Sequence, residues 1–216
     1  MLPLSLLLGA AQALPRAKLS AECAGDAEAL IAELGRRARE RSSCSSVAFE
    51  PSHDEAMDAA DATRLGRALI SVAAPGQLSF SDAHVGDAGA VAIAPEISVL
   101  VAGGCFDVAL DECSIGDAGA AALADHLLSD ASMDKPPAGL LEIDLSGNRI
   151  HDAGARKLAG ILGSSGVPVT RLDLSRNAIG ADGVTTLLAM VGDSALTELV
   201  LVGNETYGVR LDEIID

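Results

Sequence analysis

Apolar and polar residues alternate in a fixed phrase that occurs twice. Leu140–Ile150 reads L-x-x-I-x-L-x-x-N-x-I, and Val169–Ile179, twenty-nine residues on, reads V-x-x-L-x-L-x-x-N-x-I. The paired apolar residues at its centre have the period of two of a strand with one buried face. Counted from its first apolar residue, the phrase puts that pair at positions 4 and 6 and Asn at position 9. Downstream, Leu196, Leu199, Leu201 and Asn204 repeat it. Upstream, Cys105, Val108, Leu110, Cys113 and Ile115 fit positions 1, 4, 6, 9 and 11, preceded by Pro75, Leu78, Phe80, Ala83 and Val85. The earliest copy is Cys44, Val47, Phe49 and Ser52, with Asp54 where an aliphatic belongs. Six strands are predicted, starting near residues 46, 77, 107, 142, 171 and 198.

A second phrase follows each strand. Val85-Gly86-Asp87-Ala88-Gly89, Ile115-Gly116-Asp117-Ala118-Gly119, Ile150-His151-Asp152-Ala153-Gly154 and Ile179-Gly180-Ala181-Asp182-Gly183 mark a turn and a helix start. Asp suits that place because its carboxylate accepts from free backbone N–H groups and complements the helix dipole. Apolar residues then recur at helical spacing, as in Leu158, Ile161 and Leu162, or Leu187, Leu188 and Val191. Each unit is thus strand, turn, helix.

These two phrases together resemble leucine-rich repeats. The run L-x-L-x-x-N/C-x-I-x-D-A-G-A is similar to the ribonuclease-inhibitor class, which also includes the Ran GTPase-activating proteins, and Cys113 in the Asn slot fits that class. The likeness spans roughly residues 44–210. It implies an α/β solenoid, a right-handed horseshoe of about six strand–helix repeats. It also implies a concave binding surface rather than a catalytic cavity. The matching residues belong to the scaffold, so they carry no catalytic residue across from a GTPase regulator.

Three segments lie outside the pattern. Residues 2–13 are apolar and end in Ala11-Gln12-Ala13, which fits either a secretory signal or an apolar helix packed on the first repeat. The stretch is too short to span a membrane. Residues 14–43 are expected to cap the open end of the core, through an amphipathic helix over 20–41 with Leu30, Ile31 and Leu34 buried. The repeats then occupy 44–216. Ser129–Gly139 is rich in Ser, Asp, Pro and Gly and reads as a surface loop inserted before the strand near 142.

The chain has 216 residues and a net charge of −16, from 15 basic and 31 acidic residues. That balance disfavours nucleic acid, whose phosphates require clustered Lys and Arg. The basic run Arg36–Arg41 falls at a helix end, where it complements the dipole. Three Phe, one Tyr and no Trp point to a core of aliphatic ladders, with Phe49 and Phe80 stacked at position 6. Cys44, Cys105 and Cys113 are expected in the core, and no C-x-x-C pair calls for zinc. A Cys23–Cys44 bridge would need an oxidising compartment. The sequence leaves the compartment open between the cytoplasm and the secretory pathway.

No G-x-S-x-G, H-E-x-x-H or phosphate-binding loop occurs. His126 and His151 read as solvated. His53 and His84 share position 10 of adjacent repeats, close enough for one metal ion if both turned toward it, yet no cofactor or metal is expected. The candidate partner-binding residues are those at exposed strand positions: Asp107, Asp111, Glu112, Glu142, Asp144, Arg171, Asp173, Arg176, Glu198, Val200 and Val202. Glu50 and Asp82 occupy the same face. The expectation is a non-enzymatic module that binds a cationic protein on an acidic face. The alternatives are a GTPase regulator and a scaffolding piece of a longer array, with self-association through the apolar last repeat.

Overall fold

A computed structural model describes residues 23–40, 44–49, 57, 59–70, 76–129, 141–163, 168–192 and 194–205. The expectations for residues 1–13, Glu50, His53, Asp54, the inserted loop beyond Ser129 and the tail beyond Glu205 lie outside these.

Strands and helices alternate: β1 (Cys23–Gly25), α1 (Ala27–Glu40), β2 (Ser46–Phe49), α2 (Ala59–Ile70), β3 (Gln77–Ser79), α3 (Gly86–Ala102), β4 (Asp107–Ala109), α4 (Asp117–Ser129), β5 (Leu141–Asp144), α5 (Asp152–Leu162), β6 (Val169–Asp173), α6 (Ala181–Val191) and β7 (Glu198–Val200). The strands form one parallel sheet in sequence order. Position 4 is in register throughout: Val47, Leu78, Val108, Ile143, Leu172 and Leu199 are successive partners. Parallel neighbours need a crossover, and each is supplied by one helix. The fold is an α/β solenoid of strand–helix repeats.

One expectation about the elements needs correction. The segment 20–41 is not one helix. Cys23–Gly25 is a seventh strand, paired with Val47, Ala48 and Phe49. The helix begins only at Ala27, where the Asp26 carboxylate accepts from the Ala29 N–H at 2.9 Å. That bond favours a start at residue 26 and frees the residues before it for the sheet edge. Leu30 and Leu34 are fully buried, while Ile31 is half-buried. The pairing of β5 with β6 carries one irregularity. Leu141, fully buried, lies beside Val169, and the register shifts before Glu142 pairs with Arg171. Thr170 is the extra residue on β6, so Leu141 stands beside the position-1 residue Val169; Leu140 lies outside the described residues.

The core lies between sheet and helices. Leu78, Phe80, Leu110, Ile115, Leu145, Ile150, Leu174 and Ile179 are at most 2% exposed. The Phe49 and Phe80 rings sit 6.0 Å apart, as their shared position implies. Cys105 and Cys113 are free and buried. Burial raises both thiols, to about 11 and about 12.

Adjacent repeats are joined by two polar rows. The Asn148 amide donates to the Leu110 carbonyl and accepts from the Ile115 N–H, both in the preceding repeat. Asn177 does the same with Leu145 and Ile150, and Asn204 with Leu174 and Ile179. At Cys113 the thiol donates to the Phe80 carbonyl at 2.8 Å, which explains how sulfur serves in the Asn slot. The aspartates form the other row, but not as expected. Asp87 accepts from the Gly116 and Gly119 N–H groups, Asp117 from His151 and Gly154, and Asp152 from Gly180 and Gly183. Each carboxylate caps the helix of the next repeat rather than its own. Gly119, Gly154 and Gly183 are required there, since a Cβ would lie 2.6–2.9 Å from the accepting oxygen.

Candidate protein-binding face

Alternation turns positions 4 and 6 into the core, so positions 3 and 5 project from the open face of the sheet. Position 3 gives a register row Gln77, Asp107, Glu142, Arg171 and Glu198. Position 5 gives Ala48, Ser79, Ala109, Asp144, Asp173 and Val200. Neighbours in each row stand about 4.8 Å apart.

The eleven candidate residues fall into three zones. On β4 and β5, Asp107 and Glu142 are direct neighbours, with Glu142 exposed and Asp107 half-buried beside the Gln77 amide. Asp111 follows in the turn, where its carboxylate accepts from the Ser81 hydroxyl at 2.7 Å. Asp144 belongs to this zone by position but is only 8% exposed, and it accepts from its own Ser146 N–H at 2.9 Å. Its carboxylate shapes the turn.

On β6 the negative charge is met from within. The Arg171 guanidinium pairs with Asp173 at 3.0 Å and with Glu198 at 3.1 Å. Partial burial opposes its charge, but Glu198 and then Asp173 outweigh this and raise the pKa above the ordinary arginine value. Asp173 is also buried and accepts from the Ser175 N–H and hydroxyl. At the rim, Arg176 reaches back to Glu112 at 2.9 Å, with both side chains largely in solvent. The third zone is apolar: Val200 is half-buried and Val202 is 39% exposed.

Position 8 has a property the sequence pattern did not show. Asp82, Glu112, Gly147, Arg176 and Gly203 all have φ between 55° and 81°. This left-handed turn fixes where each side chain leaves the rim, whatever its chemistry.

One further residue was missed. Phe106, at position 2 beside Asp107, is 46% exposed. Its ring occupies the space above Gly76, where a Cβ would come within 2.7 Å of it. Position 2 carries no repeat signature, so the sequence pattern gives no sign of it. His84 is exposed, and no cluster of His, Cys, Asp or Glu able to hold a metal occurs among the described residues. Nor is any described helix long and apolar enough to cross a membrane.

No curated protein matches the chain. Three segments, 77–94, 140–159 and 168–188, match the family model described as Leucine Rich repeat. These segments cover strand, turn and helix of the units beginning at β3, β5 and β6. Repeats of this kind serve protein–protein interaction, and the chain carries them as an α/β leucine-rich-repeat solenoid.

Proposed function

We propose that the chain is a non-enzymatic binding module that takes a basic protein on the open face of its sheet. The observation that supports this most is the acidic zone of β4 and β5. Asp107 and Glu142 lie side by side in register, Asp111 and Glu112 follow in the turn, and exposed Phe106 stands at the edge. Acidic groups stacked at strand spacing set up a field that steers a cationic surface, and a neighbouring ring gives the contact an apolar anchor. Asp144, Asp173 and Glu198 have a smaller part, because backbone groups or Arg171 already engage them.

The test is charge reversal. Asp107→Lys, Asp111→Lys and Glu142→Lys together should slow association with a captured basic partner by about tenfold or more, with a shallower dependence on salt. Association indifferent to both the reversals and salt refutes this reading.

A second reading, regulation of a small GTPase, rests on the resemblance of the repeat phrase to the Ran GTPase-activating class. Among the described residues, Arg176 and Arg171 are the cations at the exposed strand positions, and each is held by acidic neighbours. Faster GTP hydrolysis by a small GTPase in the presence of the chain would favour that reading over simple binding.

A further inference from the structure

The N-terminal end of the solenoid is held differently from the rest. From β4 onward, each repeat boundary carries an Asn or Cys113 stitch, an Asp-capped turn, or both. At the boundary between β1 and β2, the described residues offer neither. Asp26 spends its carboxylate on its own helix. The Arg64–Glu28 pair between α2 and α1 is half-exposed or more on both sides, which makes it a weak tie. Glu33 binds Arg36 and Arg37 within α1. A covalent tie spans this boundary beside the β1–β2 pairing: the Cys23–Cys44 disulfide, with both sulfur-bearing residues at most 2% exposed. It joins β1 to the residue that leads into β2 and encloses α1 in the loop.

We propose that this disulfide is a redox-controlled closure of the solenoid's end: oxidised, it seats β1 and α1 over the core, and reduced, it lets the cap come away as a unit. The cap lies against β2 and α2, whose Val47, Phe49, Leu65 and Leu69 are buried, and β1 occupies the hydrogen-bonding edge of β2. Its departure leaves an apolar end and an open strand edge, which a second copy of the chain can occupy. The chemistry is thiol–disulfide exchange. A dithiol reductant supplies two electrons and two protons, the S–S bond breaks, Cys23 and Cys44 become thiols, and the reductant leaves as its own disulfide. A disulfide oxidant reverses the step. Cys105 and Cys113 stay out of the exchange: Cys113 donates to the Phe80 carbonyl and Cys105 to the Asp107 carbonyl, and burial raises the two thiols to about 12 and about 11, which leaves little attacking thiolate.

The experiment uses the full chain prepared with the disulfide formed, with and without dithiothreitol. Hydrogen exchange follows each segment, and alkylation with mass spectrometry identifies open thiols. Reduction should expose Cys23 and Cys44 alone and speed exchange in α1 by about a hundredfold, as expected for removing a cross-link over a loop of this length. Exchange in α5 should stay unchanged. Cys23→Ser with Cys44→Ser should reproduce the open cap without reductant, oxidised glutathione should restore the reduced wild type, and sedimentation should show self-association of the open form. Three results overturn the proposal: equal α1 protection with and without the bond, loss of protection across all repeats on reduction, or an oxidised preparation that keeps four free thiols.

Discussion

Glu112 reaches over Gly147 to pair with Arg176, two strands away along the rim. The pair is 2.9 Å apart, and the Glu112 Cγ lies only 2.7 Å from where a Cβ on Gly147 would stand. Gly147 also has φ of +67°. Gly147→Ala is therefore expected to cost about 1–2 kcal/mol, from the left-handed backbone and the displaced Glu112 side chain. Glu112→Gln should cost less than about 1 kcal/mol, because the pair is exposed. Urea unfolding of both variants checks the order, and a larger loss for Glu112→Gln would mean that the ion pair, not the glycine, matters for stability.

The aspartate row gives a sharper contrast. Asp152→Ala removes the acceptor for the Gly180 and Gly183 N–H groups at the start of α6, and should destabilise by about 1–2 kcal/mol. Asp152→Asn keeps an acceptor oxygen and should lose less. Hydrogen exchange should place the damage of the Ala variant in α6 rather than in α5, where Asp152 itself resides. Loss confined to α5 would contradict capping across the repeat boundary.

The buried thiols set a pH dependence. Burial raises the folded pKa of Cys105 to about 11 and of Cys113 to about 12, above their values in the unfolded chain. Their contribution is fully present below about pH 8.5. Above it the unfolded state gives up the protons first, so stability falls as pH rises toward 11 and 12. The slope approaches 1.4 kcal/mol per pH unit for each thiol, on the order of what linkage allows. Cys105→Ala with Cys113→Ala should flatten denaturation midpoints measured between pH 8 and 10.5. The same burial should keep both thiols inert to alkylation of the native protein at pH 8.

The apolar end of the open face has its own consequence. Val200→Asp with Val202→Asp is expected to weaken partner binding or self-association while leaving the unfolding of β3–β6 unchanged. Analytical ultracentrifugation and binding titration read this directly. Unaltered behaviour in both would remove these valines from the interface.

Much of the scaffold was legible because its constraints repeat. The position-4 and position-6 residues had to be apolar in every unit, and Cys113 could be placed by counting alone. The cross-repeat bonds were not legible, because the sequence shows Asp152 beside its own helix and gives no sign that its oxygen serves Gly180. The strand at Cys23–Gly25 was missed for another reason: three residues carry too little alternation to reveal a period. On the candidate face, composition gave the acidic excess, but not its distribution. That Arg171 answers Asp173 and Glu198, and that Asp144 faces its own turn, depends on register and side-chain direction. Phe106 escaped because its position has no pattern to match.

The cross-repeat stitches also give the molecule a mechanical polarity. An aspartate ties each of three turns forward to the next helix, while Cys113 and three asparagines tie the units of β4 to β7 each back to the one before. Where Ala83 stands in the asparagine slot, no side chain can make the backward tie. Pulled from its two ends, such a chain should not part at random. The seam between β2 and β3 should open at lower force than those between β4 and β7. The acidic zone would then ride on the stiff part of the spring, with the yielding part toward the N-terminus.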